Sequence, residues 1–599
     1  MADDWETAAI VLEAVTAVEA RARVKEIPAP VEDGTAERRS AATVLVDLAL
    51  DMFDLGISED GEPFATPRSG AAHVARRLRG GKRSLRAELA NLYRKTQGKV
   101  PPQQALADAL LVLEGIAQEC DPAPLHLRVA EAAGATWVDI GDTTGRVIRI
   151  APDGWSIEDA APVIFQRTEL TSALPDPIPG GSIADLWQFL NVKEADRPLL
   201  LAAAVAAYIP DIPHPIPAFT GEQGTAKSTT ARMLVDLLDP SPVPLRKPPR
   251  DAETWVTAAS GSWVVSIDNV SSIPDWLSES LCRAVTGDGD VRRALYTDGG
   301  LAVFAFRRCV VLTGIDLGGL RGDLADRLLM IQLNRIPDEN RLEERDLMRR
   351  WAEARPRILG ALLTLVSNVT SYASYASNEY GQSQDDETSY ASQKSPNWSL
   401  RLGSKPRMAD FARVIVGVDQ VLGTEGMKRY FEQGKDLAAD TLTASPFTSL
   451  MLTTVTEFEG TAADLLEEVT PEVQGWRVPR GWPRNARAVT TLLRRDAPAL
   501  RKNGWTVDDL GANRDHATIW RVTHPEIARI STSPTSHTSQ VATYASDESN
   551  EYGPSKDDGA PAKPTGAKGQ KQPGATCPKH GTPTHQGMCG RCAAEGVSA

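Results

Sequence analysis

Cysteine is scarce in this chain, which holds six in 599 residues. Cys120, Cys282 and Cys309 are scattered, and the other three lie close together near the C-terminal end. Small secreted domains that depend on disulfides are instead dense in cysteine. The low content argues against a disulfide scaffold and indicates a reducing cytoplasm.

Long apolar runs and a net positive charge are also missing. The run from Leu199 to Ile209 is too short to span a bilayer, which takes about 20 apolar residues. Residues 1–6 lack the basic region of a secretory signal, so we expect neither export nor membrane insertion. The net charge is -14, which argues against a uniformly basic nucleic-acid binder, so any DNA contact must come from local patches.

The length and composition fit a large multidomain α/β protein. A chain of 599 residues corresponds to about four domains of ordinary size, and a hydrophobic content of 42% is ample for buried cores. We divide it into a helical N-terminal region with a basic patch (1–120), a small β region (121–179), an α/β core (180–366), a disordered insertion (367–405), the helical end of the core module (406–440), a winged helix (441–527), a disordered linker (528–576) and a zinc ribbon (577–592).

The most informative motif is a glycine-rich segment between a predicted strand and a predicted helix. Residues 216–220 form a short apolar run, and residues 229–238 carry apolar side chains at helical spacing. In such a loop the backbone N–H groups and the helix N-terminus face phosphates, while Lys227 reaches the β/γ oxygens and Ser228 holds Mg²⁺. The predicted ATP-binding residues are Gly221, Glu222, Gln223, Gly224, Thr225, Ala226, Lys227, Ser228 and Thr229.

One position of this loop departs from the usual pattern. Ala226 stands where a glycine commonly precedes the lysine. Because alanine carries a Cβ, it can fit there if φ stays negative, and the close approach of the backbone to phosphate becomes tighter.

A second motif, at residues 263–269, is an apolar β-branched run that ends in an acid. A buried parallel strand of this form delivers a carboxylate to a metal at its carboxyl edge, so Asp268 is the predicted Mg²⁺ ligand, through water. Many ATPases place a water-activating glutamate at the next position, where this chain has the candidate catalytic residue Asn269. The general base is therefore unassigned, with Glu222 and Asp268 as candidates.

Thr313 and Arg327 complete the predicted catalytic set. A third apolar strand ends at Thr313, which would lie beside the γ-phosphate and orient water if this strand pairs with that of Asp268. Arg327 stands directly before another apolar strand, like an arginine finger that stabilises a phosphoryl-transfer transition state in a neighbouring subunit. The alternative for Arg327 is a salt bridge with Asp323 or Asp326.

Loop, acid strand, sensor strand and following arginine together resemble an AAA+ type P-loop ATPase of the superfamily 3 helicase kind. Such modules belong to replication proteins and primase-helicases of phages, plasmids and other mobile elements. The similarity covers roughly residues 180 to 435. It implies ATP hydrolysis by a homo-oligomeric ring, a hexamer, that moves on single-stranded or forked DNA in the cytoplasm.

The resemblance also implies a β-hairpin that tracks DNA. An Asp-Gly turn within residues 297–300 lies between two strand-like runs and predicts such a hairpin. The charge would come from Arg292 and Arg293, with Arg307 and Arg308 at its end.

Two other functions fit the same residues. One is a replication initiator or regulator that holds DNA and uses ATP as an assembly switch, without unwinding. The other is an ATP-binding protein without efficient turnover, which Ala226 and Asn269 favour.

A basic segment near the N-terminus reverses the acidic character of the chain. Residues 68–99 hold ten basic side chains and one acid, Glu88. This pattern predicts phosphate contact or, alternatively, a solvated face. The sequence shows no metal–carboxylate cluster or N-terminal zinc module of the kind that marks a primase site.

Residues 441–527 predict three helices and a two-stranded wing. This is the pattern of a winged helix, whose third helix enters the major groove, although such domains also serve protein contacts. The predicted DNA-binding residues of that helix are Arg487, Arg494 and Arg495, and Pro498 predicts a kink or break in it.

The remaining cysteines form two knuckles at the end of the chain. Cys577 and His580 make one pair, and Cys589 and Cys592 make the other, with His585 as a less favoured substitute for His580. Four such ligands predict a closed, structural Zn²⁺ site. The alternative is an unmetallated tail.

Overall fold

The computed structural model describes most of the chain up to residue 525. The described ranges are 39–80, 84–287, 289–293, 301–314, 322–337, 339, 341–381, 406–473, 475–514 and 516–525, with the backbone alone at 289–293, 301–305 and 372–380. The predicted zinc ligands Cys577, His580, Cys589 and Cys592, and the linker at 528–576, lie outside these ranges.

The N-terminal part of the chain mixes helices with two sheets. Its elements are α1 (Ala41–Met52), β1 (Phe53–Ser58), β2 (Pro63–Pro67), β3 (Val74–Arg77), α2 (Leu85–Gln97), α3 (Gln103–Ala117), β4 (Pro122–Ala123), β5 (Leu125–His126), β6 (Val129–Ala132), β7 (Ala135–Asp139), β8 (Val147–Ala151), β9 (Gly154–Glu158) and β10 (Ile164–Gln166).

The first sheet crosses the predicted boundary between a helical and a β region. Its strand order is β4-β1-β2-β3-β10-β5, so strands on both sides of residue 120 pair with each other. The basic segment 68–99 therefore includes strand β3 as well as helix α2. Helices α1, α2 and α3 cover this sheet through a core that includes Leu45, Phe53, Leu89 and Leu110.

The second sheet, β6 to β9, is an antiparallel meander. Its inner residues Val138 and Ile148 belong to the same hydrophobic core as the helices of the central module, which we define as residues 183–443. Shared burial joins the meander to that module, because apolar area removed from water stabilises the pair.

The central module is built around a parallel sheet. After two 3₁₀ turns, Ile183–Gln188 and Glu194–Asp196, its elements are α4 (Arg197–Ala206), β11 (Ile216–Thr220), α5 (Lys227–Leu238), α6 (Ala252–Ser260), β12 (Val264–Ile267), α7 (Asp275–Thr286), β13 (Gly289–Arg293), β14 (Leu301–Ala305), β15 (Cys309–Thr313), α8 (Gly322–Ala325), β16 (Leu328–Gln332), α9 (Glu344–Gly381), α10 (Ala409–Leu422) and α11 (Gly426–Thr443).

The parallel sheet has the order β12-β15-β11-β16 and is buried on both faces. Along β15, for example, Val310 and Leu312 face one core while Val311 faces the other. This explains the continuous apolar runs in the sequence, since a parallel strand covered on both faces has no solvent side.

Side chains close the outer edge of this sheet at β16. Gln433 on α11 accepts from the Met330 backbone N–H at 3.1 Å and donates to the Met330 carbonyl at 2.6 Å, as a neighbouring strand would. Asp196 accepts from the Gln332 N–H at 2.9 Å and pairs with Arg429 at 2.7 Å. The helical end of the module is thus hydrogen-bonded to the sheet edge, which blocks further strand pairing there.

Helix α9 extends to Gly381, into the segment predicted to be disordered from residue 367. The Ser367 hydroxyl donates to the Ala151 carbonyl at 2.6 Å, and Val369 is buried. Ser367 and Val369, at the start of the polar stretch, are still packed into the protein, so helix α9 continues past residue 367.

The C-terminal module holds three helices and a three-stranded antiparallel sheet. Its elements are α12 (Pro446–Thr454), β17 (Glu457–Thr461), α13 (Ala462–Val469), α14 (Ala486–Lys502), β18 (Thr506–Ala512) and β19 (Thr518–Thr523), and its sheet order is β17-β19-β18. The predicted pairing of the last two strands is confirmed, and β17 is an additional strand. Helix α14 runs through Pro498 without ending there.

No helix in the described ranges has the length and apolar character needed to cross a membrane.

Candidate nucleotide site

The glycine-rich segment joins the end of β11 to the start of α5, as the sequence predicted. Gly221 has a φ of 150°, and a Cβ there would come within 2.8 Å of the Thr225 hydroxyl. That hydroxyl donates to the Glu222 carbonyl at 2.9 Å. The loop is therefore closed on itself, with the N-terminus of α5 at its end, where free N–H groups favour an anion.

Ala226 lies in the left-handed region, with a φ of 64°. The condition of a negative φ is not met at this position. The turn into α5 requires the conformation that glycine adopts freely, and an L-residue with a Cβ pays about 1–2 kcal/mol for it.

We expect Ala226→Gly to stabilise the protein by about 1 kcal/mol, because the steric strain at a positive φ exceeds the entropy that glycine adds to the unfolded chain. Thermal unfolding of both proteins measures this, with Gly434→Ala, inside helix α11 and with open space at its Cβ, as the reference for an ordinary glycine exchange. A lower melting temperature for Ala226→Gly would contradict the strain at this turn.

Lys227 is folded back over the loop. Its Nζ donates to the carbonyls of Gly221 and Glu222, both at 2.8 Å. The ammonium group is partly exposed and therefore positioned at the mouth of the loop rather than in the core.

Asp268 receives two hydroxyl groups on one oxygen. Ser228 donates to its Oδ1 at 2.7 Å and Thr313 donates to the same atom at 2.5 Å. The predicted pairing of the Asp268 and Thr313 strands is confirmed, since β12 and β15 are hydrogen-bonded neighbours. No described residue donates to Oδ2 of Asp268, so this oxygen remains free to accept from metal-bound water.

Asn269 is exposed, and its backbone N–H donates to the Thr313 hydroxyl at 3.0 Å. Its φ of 57° is one that asparagine tolerates better than most residues. Gly314 packs beside it, and a Cβ on Gly314 would lie 2.9 Å from the Asn269 Cα. Thr313 thus fixes both Asp268 and the residue after it.

Arg327 lies at the start of β16, with its carbonyl accepting from the Ile216 N–H at 2.8 Å. Its side chain donates to the Asp323 backbone carbonyl at 2.7 Å. The ion pairs found for the two neighbouring acids in the described chain are with other partners: Arg407 bonds Asp323 at 2.5 Å, and Lys502 of α14 contacts Asp326.

The predicted hairpin is confirmed, with β13 and β14 paired antiparallel and Arg292 and Arg293 on its first strand. The predicted turn at 297–300 lies outside the described residues.

The DNA role expected for Arg307 and Arg308 does not fit their places at the base of this hairpin. Arg307 donates to the Pro210 carbonyl at 2.9 Å, and Arg308 donates to the Ala259 carbonyl at 2.7 Å. Burial lowers the pKa of Arg308 to about 10, so it stays charged at neutral pH. Burial also lowers the pKa of nearby His214 to about 3, which keeps that ring neutral. Both arginines anchor the hairpin to the module.

The arginines of α14 lie on its exposed side. Arg494 pairs with Asp509 at 3.4 Å, and Arg495 with the buried Asp496 at 2.7 Å. The Arg487 side chain makes no hydrogen bond or ion pair within the described part of the chain. Of the three predicted DNA contacts on α14, it is the one whose charge is not balanced by an acid in the described chain.

The sequence did not single out Asn191 or Arg341, which also lie at the loop. Asn191 donates from Nδ2 to the Asn334 carbonyl at 2.6 Å, with the Thr225 carbonyl at 3.5 Å. The guanidinium of Arg341 lies beside Gly224. Neither belongs to a motif, so the sequence carried no local signal for them.

Two family models match the chain over the regions that hold these sites. The model described as an actinomycete integrative conjugative element replication protein matches residues 183–380, and that of the AICE RepA C-terminal domain matches residues 444–538. The chain is similar to a mobile-element replication protein. The expected resemblance to replication proteins of mobile elements is thereby confirmed.

The comparison with solved structures gives matches of low identity to this chain. One, described as "SCCmec type IV Cch - active helicase", is 12% identical with a TM-score of 0.39, and the match covers 80% of this chain and 95% of that one. Another, an apo structure of the NrS-1 C-terminal region, is 11% identical with a TM-score of 0.35, covering 81% and 100%. A search of curated proteins found no match.

Proposed function

We propose that this chain is an ATP-hydrolysing, DNA-associated replication protein of a mobile element, of helicase type. The observation that carries the proposal is the convergence of Ser228 and Thr313 on one oxygen of Asp268. Three sequence-distant segments supply these groups at the carboxyl edge of one sheet, next to Lys227 and a helix N-terminus. That constellation suits phosphoryl transfer from a nucleotide.

The residues fit ATP with Mg²⁺. A hydroxyl and a carboxylate are oxygen ligands of the kind Mg²⁺ prefers, and it commonly takes one or two protein oxygens, the rest being water and phosphate. Ser228 and Asp268, which are hydrogen-bonded at 2.7 Å, would be its protein support. The bound metal would neutralise phosphate charge. Lys227 would bind phosphate, and Thr313 would orient the attacking water.

We expect Asp268→Asn to retain Mg-ATP binding and to lose turnover by about 100-fold or more. The carboxamide oxygen can still accept from Ser228 and Thr313, so the geometry survives while the negative charge that supports the metal is lost. The two readouts are equilibrium binding and steady-state phosphate release, with Asp275→Asn as a control at the start of α7. Unchanged turnover would show that a residue other than Asp268 supports the metal.

Arg327 is proposed to act in the site of a neighbouring subunit of a ring. Its place beside Asp323 and Asp326, at the junction with the C-terminal module, would let it respond to that module. The alternative is a purely structural role for Arg327, and a mixing experiment separates the two.

We expect a mixture of Arg327→Ala and Lys227→Ala subunits to recover ATPase activity that neither variant has alone. Mixed interfaces would combine an intact loop from one chain with an intact arginine from the other. Mixed assembly must be verified independently, for instance with two different affinity tags. No recovery in verified mixed assemblies would favour the structural role.

DNA contact is assigned to the C-terminal module and the hairpin. Three helices with a three-stranded sheet suit a winged helix that presents α14, and Arg487, Arg494 and Arg495 would contact phosphates or bases. Arg292 and Arg293 would do the same on the hairpin. The zinc ribbon of Cys577, His580, Cys589 and Cys592 stays a proposal from the sequence, as a further DNA-binding element in the cytoplasmic protein.

An ATP-controlled initiator without unwinding is the second candidate. The exposed Asn269, in the place of a catalytic glutamate, favours it, since slow hydrolysis suits a switch. The rate of ATP turnover on single-stranded DNA separates the two.

A further inference from the structure

The segment that leads into helix α14, residues 475–487, carries positive charge alone, and we call it the arginine segment. It holds four arginines and no acidic residue, in a chain whose net charge is -14. All four are exposed: Arg477, Arg480, Arg484 and Arg487. Their side chains have no hydrogen bond or ion pair in the described part of the chain, whereas Arg494 and Arg495 further along α14 already pair with acids. The charge of the arginine segment is therefore available to a partner.

Two tryptophans fix the path of this segment. Trp482 is 9% exposed and belongs to the hydrophobic core of the C-terminal module. Its ring meets that of Phe447 edge-on at 5.2 Å, and the partly buried Trp476 meets it at 5.0 Å. Rings packed in this way anchor the backbone on both sides of Arg477 and Arg480, so these two arginines stand on a fixed support.

A tight turn places Arg480 at an exposed corner. The Trp482 N–H donates to the Pro479 carbonyl at 3.2 Å, which closes a four-residue turn with Arg480 and Gly481 at its centre. Gly481 has a φ of 92°, a conformation that glycine adopts freely at the third position of a turn. A Cβ on Gly481 would meet no atom within 4 Å. The space in front of this turn is therefore open.

Arg484 and Arg487 lie at the start of α14, where an anion is favoured. Asn485 caps the helix, and its side-chain oxygen accepts from the Ala488 N–H at 2.9 Å. The N-terminal end of a helix carries partial positive charge, so its first turn favours acidic side chains. The first turn of α14 contains no acid and holds Arg487 instead. These positive charges add to one another, which suits a bound anion better than it suits the free helix.

The exposed chemistry of the segment fits the phosphate backbone of duplex DNA. Guanidinium groups give paired hydrogen bonds to phosphate oxygens, and such contacts position a protein on a duplex without reading its bases. Proteins that hold single strands use exposed aromatic faces on which bases stack. Here Trp482 is buried and Trp476 packs against it, so the segment is better suited to a duplex backbone than to unpaired bases.

We propose that the arginine segment is a phosphate-binding surface for duplex DNA, centred on Arg480 and Arg484. This inference rests on the proposed DNA association of the chain and names the surface that carries it. The main contacts of the C-terminal module then lie ahead of α14 and in its first turn, on side chains that no described acid neutralises. Because phosphates carry no sequence information, the contact is independent of base sequence and weakens with salt.

Anisotropy titrations of the full chain with two short duplexes of unrelated sequence, at several salt concentrations, test this surface. Combining Arg480→Ala with Arg484→Ala should weaken binding of both duplexes by roughly 10- to 100-fold, because two charge-assisted contacts are lost. The slope of log affinity against log salt should become shallower by about 2, close to one for each phosphate contact. Combining Arg480→Lys with Arg484→Lys keeps the charges, so it should keep that slope and lose only part of the affinity.

The matched control removes two exposed arginines that already have acidic partners. Arg349 pairs with Glu353 at 3.1 Å, and Arg521, in the C-terminal module, pairs with Glu459 at 2.9 Å. Combining Arg349→Ala with Arg521→Ala changes the net charge of the chain by the same amount as the double alanine variant of the arginine segment. It should leave the affinity for both duplexes and the salt slope as they are in the unaltered protein.

An unchanged affinity and salt slope in the double alanine variant of the arginine segment would overturn the inference. An equal loss in the matched control would also overturn it, because net charge alone would then explain the binding. If the unaltered chain binds single strands and not duplexes, the inference fails while the proposed function stands. If the unaltered chain binds neither form of DNA, the proposed DNA association itself fails.

Discussion

Replacing Lys227 by alanine is expected to abolish Mg-ATP binding while leaving the fold intact. Lys227 holds two loop carbonyls at 2.8 Å, and these bonds would give way to phosphate contacts on binding. The loss of charged hydrogen bonds to phosphate corresponds to about 1.5–3 kcal/mol each, so the affinity should fall by a factor of roughly 100 or more. Titration calorimetry with Mg-ATP measures it. Because the ammonium is partly exposed, its removal leaves no buried charge, and the melting temperature should stay within about 2 °C.

A suitable control is Lys435→Ala, which removes an exposed lysine of α11 that has no partner in the described residues. It should change neither affinity nor stability. Wild-type affinity for Mg-ATP in Lys227→Ala would contradict the assignment of the phosphate loop to the binding site, whatever the result for Lys435→Ala.

Replacing Arg128 by methionine is expected to destabilise the central module strongly. Arg128 is 1% exposed and pairs at 2.8 Å with Asp239, which is 6% exposed and follows the last residue of helix α5. The other oxygen of Asp239 accepts the backbone N–H groups of Trp263 and Val264, at 2.8 and 3.0 Å. The guanidinium also donates to the backbone carbonyls of Asp139, Ile140 and Ser172.

This clamp joins the β6 to β9 meander to the ends of two elements of the nucleotide site, α5 and β12. Removing Arg128 leaves a buried carboxylate without its cation, which costs about 3–5 kcal/mol. The melting temperature should fall by roughly 10 °C, at about 2–4 °C per kcal/mol for a module of this size.

The double variant Arg128→Met with Asp239→Asn should be more stable than Arg128→Met alone, because the uncompensated charge is gone. Arg349→Ala provides the matched surface case, since Arg349 pairs with Glu353 at 3.1 Å in an exposed position and should cost less than 1 kcal/mol. An Arg128→Met protein as stable as Arg349→Ala would contradict the clamp.

The sequence predicted the strand, loop and helix around residue 224 and the pairing of the Asp268 and Thr313 strands, because the signals for these elements are local. A loop of fixed spacing, an apolar run that ends in Asp268 and another that ends in Thr313 each carry their own pattern. Parallel strands place their carboxyl ends at one edge, so the meeting of these residues followed from strand assignment alone. The positive φ of Ala226 was not predicted, because the turn into α5 imposes a conformation that alanine by itself disfavours.

Features that depend on distant pairing could not be read from the sequence. The sheet that joins β1, β2 and β3 with β4, β5 and β10 has strands as short as two residues, too short for a period of two to show. Strand β17 is acidic and contains Gly460, so it lacks an apolar run. Arg341 stands in the irregular connection between β16 and α9. Its neighbours in that connection bond to distant residues, Leu333 to Thr220 and Glu344 to Arg232, and no local sequence pattern indicates such contacts.

Steady-state ATP hydrolysis by the full chain, with and without single-stranded DNA, tests the central claim most directly. The account predicts turnover that single-stranded DNA stimulates and that Asp268→Asn removes. Stoichiometric Mg-ATP binding with no turnover, in the presence or absence of DNA, would contradict a motor.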